Sequence, residues 1–222
     1  MRPTAIVFDL YGTLLHIHAL RERVRAAGIS DADAFVEAWR NKQIEFSWCC
    51  TLMGEYRDFD SLTKKALAYV LASFGHELKP AAAEALAAGW LELQPHDDVQ
   101  PYLEELRKRK IPLAVLTNGV KASAERALRA AGIRDAFDAL LSVESVRVYK
   151  PHANVYKLAT THFKCDPERL MFVSSNGWDA SGASAFGFRV VYCNRAGKPA
   201  ETLGYPPFAT IGALAEISAL LD

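Results

Sequence analysis

The chain has 222 residues, half of them hydrophobic, with 26 basic and 26 acidic side chains and a formal net charge of zero. That length supports a full core plus a modest insertion, and the charge balance excludes both an acidic tail protein and a basic nucleic-acid binder. No apolar stretch is long enough to span a bilayer, and Asp9 cuts the N-terminal run before it could act as a signal sequence, so a cytoplasmic protein is expected.

The first run, Ala5-Ile6-Val7-Phe8, reads as a buried strand ending in Asp9-Leu10-Tyr11-Gly12-Thr13-Leu14. Apolar positions then recur three and four apart, which predicts helices and no strand from His16 to Leu93. Gly28-Ile29-Ser30-Asp31 is a stop and restart before the helix carrying Phe35, Ala38, Trp39 and Gln43. Further helices are predicted over Phe59 to Phe74 and Pro80 to Leu93. Pro95-His96-Asp97-Asp98 ends the helical block.

Strands and helices then alternate: helix Val99 to Arg109, strand Ile111 to Leu116, helix Ala122 to Ala131, strand Ala139 to Ser142, helix His152 to His162, strand Leu170 to Val173, helix Ala180 to Ala185 and strand Arg189 to Cys193. A last helix is predicted over Ile211 to Leu221. Alternation of this kind implies right-handed crossovers and a parallel sheet. The fold class is therefore α/β, a parallel sheet with helices on both faces and an inserted all-helical cap. Residues 1–14 and 97–222 are assigned to the core and 15–96 to the cap.

Three predicted strands end in polar clusters: Asp9, then Thr117-Asn118-Gly119, then Ser174-Ser175-Asn176-Gly177-Trp178-Asp179. A parallel sheet gathers such clusters on one rim, outside the carboxyl ends of its strands. Taken singly, Asp9 and Asp179 could each cap a following helix, Arg40 could be an exposed helix residue, and Lys150 a surface lysine. The basic run Arg107-Lys108-Arg109-Lys110 suits a helix C-terminus. Cys49, Cys50, Cys165 and Cys193 form no C-x-x-C pair, which suits reduced structural thiols.

Five stretches carry a family resemblance: Phe8 through Leu14, Trp39-Arg40-Asn41-Lys42-Gln43, Thr117-Asn118-Gly119, Tyr149-Lys150-Pro151-His152 with Tyr156, and Phe172 through Asp179. On these the chain resembles the haloacid dehalogenase superfamily and, within it, the (S)-2-haloacid (L-2-haloacid) dehalogenases. Phosphatases of the superfamily place a second aspartate two positions after the nucleophile, where this chain has Tyr11. Where they place magnesium carboxylates it has Ser174 and Ser175, weak ligands for a hard cation.

The resemblance implies hydrolysis of a small 2-haloacid with inversion and no cofactor or metal. Asp9 would displace the halide through an aspartyl ester that water then hydrolyses. Arg40, helped by Asn118, would receive the departing halide. Lys150 would favour the charged form of Asp9 and attract the substrate carboxylate. Asp179 would activate or orient the water, with Ser174, Asn176 and Lys150 as partners. Thr13 and Thr117 would orient Asp9 and the substrate carboxylate, helped by backbone N–H groups after Asp9 such as that of Leu10. Tyr156 matches a family residue near the site, and Tyr11, Ile44, Phe59 and Trp178 would form apolar walls.

His16 and His18 flank the departure of the cap and are read as structural or lid-facing. The partners expected are a 2-haloacid and the halide product, with a homodimer by family resemblance and neither nucleic acid nor membrane. Chloroacetate, fluoroacetate and longer 2-haloacids all remain open. Two alternatives stand beside this reading: a magnesium-dependent phosphatase on the same fold, and a catalytically silent binding protein that kept it.

Overall fold

The computed structural model describes residues 2–221, so residues 1 and 222 of the expected core lie outside the described residues. Continuous apolar runs are what a strand buried on both faces requires. Strand β1 (Ala5–Phe8) is buried at every position. So are β2 (Leu113–Thr117) and β4 (Leu170–Ser174), while β3 (Ala139–Ser142) and β5 (Arg189–Cys193) are nearly so. With β6 (Ala209–Ile211) they form a parallel sheet in the order β3-β2-β1-β4-β5-β6.

The chain builds outward from β1 in one direction through β2 and β3, then returns to build the other half. This makes β1 the switch point, and the crevice beyond its carboxyl end is where such sheets bind ligands.

Between β1 and β2 lie α1 (Leu20–Ala26), α2 (Ala32–Met53), α3 (Phe59–Ser73) and α4 (Pro80–Ala88), followed by α5 (Val99–Lys108). The core continues with α6 (Lys121–Ala130), α7 (Ala153–Phe163) and α8 (Gly177–Phe186). Among the described residues no strand falls between His16 and Leu93, as the periodicity predicts. Gly54 closes α2 in the left-handed conformation (φ 70°), and the Asp58 carboxylate caps α3 by accepting the Ser61 N–H at 2.8 Å. The insert leaves and rejoins the core through paired segments: His16 N–H donates to the Gln94 carbonyl and His96 N–H to the Leu14 carbonyl.

Four expectations change. The predicted helix Pro80 to Leu93 ends at Ala88 and tightens into a 3₁₀ turn, Gly89–Leu91. Gly89 packs so closely on α1 that a Cβ there would lie 2.9 Å from Leu20 and Arg23 side-chain carbons. The predicted terminal helix from Ile211 is instead the short strand β6 and a 3₁₀ segment, Leu214–Leu220, because Ile211 pairs in register with Cys193. Helix α8 starts three residues early, with Asn176 at its N-cap position, so Asp179 lies inside the first turn and is not a cap. No helix follows Asp9 directly either, since the chain turns through a Tyr11–Leu15 bridge before a 3₁₀ turn at Ile17–Ala19.

Candidate active site

The carboxyl ends of β1 and β4, with the loop after β3, bring three buried charges into contact. Lys150 Nζ lies 3.0 Å from Asp9 Oδ1 and 3.0 Å from Asp179 Oδ2. Lys150 is 1 % exposed, Asp9 6 % and Asp179 fully buried, which removes the surface-lysine reading. Buried charges persist only when paired and hydrogen-bonded, and this trio is saturated with donors. Asp9 Oδ2 accepts from Thr13 Oγ1 and from Asn176 Nδ2, each at 2.8 Å. Asp179 accepts from Tyr156 OH at 2.8 Å and from Ser174 Oγ at 3.1 Å.

Burial pulls the Lys150 ammonium down, yet Asp179 and Asp9 together outweigh it and leave Lys150 above its ordinary value. Burial pushes Asp179 up, and the Lys150 charge only partly offsets this, so Asp179 is a stronger base than an ordinary aspartate. Tyr11, also buried, is raised far above the normal tyrosine range and stays a neutral phenol.

The loops are themselves tied down. Thr13 Oγ1 accepts the Ser175 N–H at 2.8 Å, Asn118 Oδ1 accepts the Lys150 N–H at 3.0 Å, and Trp48 Nε1 donates to the Lys150 carbonyl at 3.1 Å. Thr117 accepts the N–H of Gly119 at 3.0 Å, so its buried hydroxyl oxygen shapes its own turn. Leu10 has its side chain fully buried in the core beside Leu14.

The opposite wall comes from the helical insert. Arg40 on α2 directs Nη2 at the Tyr11 carbonyl (3.4 Å), the same oxygen that Asn176 Nδ2 reaches at 3.2 Å. Its other terminal nitrogen donates to Gln43 Oε1 at 2.7 Å, and its Nε is buried with no hydrogen-bond partner. Arg40 is therefore not an exposed helix residue. Burial draws the guanidinium down to about 10, against the pull of Asp9, and it remains cationic at neutral pH. Trp90 stands 5.7 Å below it, and edge-on to Trp90 packs Tyr11, 5.8 Å between ring centres.

Two cavities approach this centre. The larger, about 550 Å³, is bounded by Arg40, Ile44, Trp48, Asn176 and Trp178, with His16, His18 and His96 at one side. The smaller, about 220 Å³, is bounded by Tyr11, Gln43, Phe59, Thr63 and Trp90. The four expected apolar wall residues are thus divided, Ile44 and Trp178 on one cavity, Tyr11 and Phe59 on the other.

Sequence reasoning did not single out Arg195, Trp90 or His96. Arg195 binds Asp98 (2.9 Å), the Thr13 carbonyl and Ser175 Oγ (both 3.1 Å), clamping the loops after β1 and β4. Its position two residues past β5 is the usable signal, since carboxyl ends of parallel strands gather the site. His96 stacks on His16 with ring centres 4.6 Å apart, and burial holds it neutral, lowered to about 4. Neither it nor Trp90 sits in a legible motif.

Among the described residues no group of three or more His, Cys, Asp and Glu side chains could hold a metal ion, all four cysteines are free thiols, and no helix is long and apolar enough to cross a membrane.

Residues 3–187 match the model of the haloacid dehalogenase-like hydrolases. The (S)-2-haloacid dehalogenase H-109 of Pseudomonas putida is 38 % identical over 219 residues, 98 % of each chain. Haloacetate dehalogenase H-2 of a Moraxella species is 36 % identical, covering 93 % of this chain and 92 % of its own. Among solved structures, the L-2-haloacid dehalogenase of Xanthobacter autotrophicus with chloropropionic acid covalently bound superposes with a TM-score of 0.93 at 32 % identity, covering 99 % of this chain and 98 % of that one. Sequence and fold agree: the chain belongs to the haloacid dehalogenase-like hydrolases and, within them, to the (S)-2-haloacid dehalogenases, hydrolases acting on carbon–halide bonds.

Proposed function

We propose that this chain hydrolyses small (S)-2-haloacids to 2-hydroxy acids of inverted configuration, through an ester on Asp9 and without a metal. The observation that carries the reading is the Asp9–Lys150–Asp179 trio facing a cationic Arg40 across the Tyr11 carbonyl. Relatives named for (S)-2-haloacids and haloacetate, and a neighbour with chloropropionic acid covalently bound, support the substrate class.

In the first step an Asp9 carboxylate oxygen attacks C2, the carbon–halogen bond breaks, and its electron pair leaves with the halide toward Arg40 and Asn118. Thr13 and Asn176 hold Oδ2, leaving Oδ1 with Lys150 as its donor. The substrate carboxylate is drawn by Lys150 and by backbone N–H groups after Asp9, including that of Leu10. Water then attacks Cγ of the ester and gives a proton to Asp179, which passes it to the departing hydroxy-acid oxygen. The carboxylic acid regenerated on Asp9 releases the net proton to solvent. Carbon is displaced once, so configuration inverts. Ser174 and Tyr156 position Asp179, Thr117 and Asn118 shape the loop beside Lys150, and Tyr11, Ile44, Phe59 and Trp178 exclude water from the reacting centre.

The donor set supports metal independence. Ser174 Oγ donates to Asp179, Asn176 turns its NH₂ toward Asp9, and an ammonium already bridges the two carboxylates. Residues 15–96 act as the cap, hinged at the paired segments 14–16 and 94–96. We further assign a homodimer in the cytoplasm, on family resemblance.

The test is halide release from haloacetates and from both 2-chloropropionate enantiomers, with and without chelator. Release confined to the (S) enantiomer among the propionates and indifferent to chelator is expected. Hydrolysis of phosphate esters that chelator abolishes would replace this reading with the phosphatase, and no turnover of either class would favour a silent binding protein.

A further inference from the structure

The halide receiver is held by a side chain that nothing above assigns a role. Gln43 is 1 % exposed and Thr63 6 %, two polar residues buried between α2 and α3. Burial of an amide is costly unless its hydrogen bonds are made, so a buried glutamine needs a reason. Gln43 Oε1 accepts from Arg40 Nη1 at 2.7 Å, while Gln43 Nε2 donates to Thr63 Oγ1. Thr63 Oγ1 in turn donates to the Phe59 carbonyl at 2.8 Å, and Trp39 Nε1 donates to the Thr63 carbonyl at 2.9 Å. The relay thus runs from the guanidinium through α2 into the backbone of α3.

Arg40 is otherwise loosely fixed. Its contact with the Tyr11 carbonyl is long (3.4 Å) and its Nε has no partner, so the bond to Gln43 is its only short one. A residue that must offer charge to an ion present only as the reaction proceeds cannot be saturated by permanent partners, yet it must not rotate away. A single neutral acceptor behind it meets both conditions. An acidic residue there would compete with the halide.

Resting on the reading above, we infer that Gln43, backed by Thr63, is a positioning residue that aims the Arg40 guanidinium at the departing halide. Both residues also line the smaller cavity.

The variants are Gln43→Leu, Thr63→Val and Thr63→Ser, assayed on (S)-2-chloro- and (S)-2-bromopropionate. Loss of aim costs most when the leaving group is worst, so Gln43→Leu is expected to lower chloride release by about 10- to 100-fold and to raise the bromo-to-chloro ratio of kcat/KM by about threefold or more. A reduced fraction of folded enzyme would lower both substrates equally. Thr63→Val should show the same trend more weakly, and Thr63→Ser should restore the parent ratio.

A second readout does not depend on turnover: the Arg40 Nη resonances in ¹⁵N NMR, assigned by their loss in Arg40→Lys, should be resolved in the parent and merge in Gln43→Leu. Parent-like ratios with Nη signals still resolved would overturn the inference. A parent enzyme that releases no halide would instead fail the proposed function, while the NMR arm still decides the positioning role.

Discussion

The two walls of the site are held in opposite ways. At the carboxyl rim of the sheet, Asp9 and Asp179 each accept three side-chain hydrogen bonds, and Lys150 is locked between them. On the insert, Arg40 has one short bond, one long one and an unpartnered Nε. A nucleophile must be in place before substrate arrives, so preorganisation serves it. A leaving-group receiver must keep donors vacant for a charge that does not yet exist. The fold would separate the proposed tasks accordingly, with Asp9 at a strand end and Arg40 on the α2 helix.

The sharpest way to break this comparison is Asp9→Asn, which leaves the shape and removes the carboxylate proposed to attack. Halide release should fall by about 10⁴-fold or more, with a thermal midpoint near that of the parent. Residual turnover within tenfold of the parent, on the order expected of a bystander, would remove Asp9 from the chemistry.

Lys150→Met strikes the wall at the sheet's carboxyl rim at its centre. Two buried carboxylates then face each other unpaired, so about 3–5 kcal/mol of stability should be lost together with about 10³-fold of activity. A denaturant midpoint unchanged from the parent would show that the trio is not the electrostatic unit argued here.

Arg40→Lys attacks the other wall and should act on rate alone. The ammonium keeps the charge but loses the fork that spans Gln43 and the Tyr11 carbonyl, so about a 10²-fold fall in kcat is expected with little change in thermal midpoint. Equal stability losses at Arg40 and Lys150 would erase the distinction between the walls.

The smallest effect is a shift in pH profile. The Tyr156 hydroxyl counters the burial that raises Asp179, so Tyr156→Phe should raise Asp179 further. In the proposed mechanism Asp179 is the base and must be deprotonated, so the acid limb of kcat should move to higher pH. Movement to lower pH would contradict the assignment of Asp179 as the base.

Much of this was legible in the residues. Apolar runs ending in polar clusters located the strands and their shared rim, because burial on both faces of a parallel strand leaves a signature that short-range alternatives rarely imitate. Asp9 drew notice as a charge at the end of an apolar run, whereas Lys150 and Asp179, each of which reads alone as an ordinary surface or cap residue, were singled out by the family resemblance of their motifs. What escaped depended on distant partners. The strand at Ala209–Ile211 is fixed by pairing with β5, and its few residues carry no period of their own. Arg195 takes its role from partners far along the chain, Asp98 ninety-seven positions earlier and the loops at Thr13 and Ser175. The early start of α8 moved Asp179 from a supposed cap to the first helical turn, a boundary that Gly177 and Trp178 disguised.

The central claim, that Asp9 carries the substrate as an ester, is tested most directly by a single turnover in water enriched in heavy oxygen with enzyme in excess. The account predicts that the label enters the Asp9 carboxyl group and that the hydroxy acid carries oxygen from the protein. Label in the hydroxyl of the first product molecule, with none in Asp9, would mean that water attacks carbon directly and would contradict it.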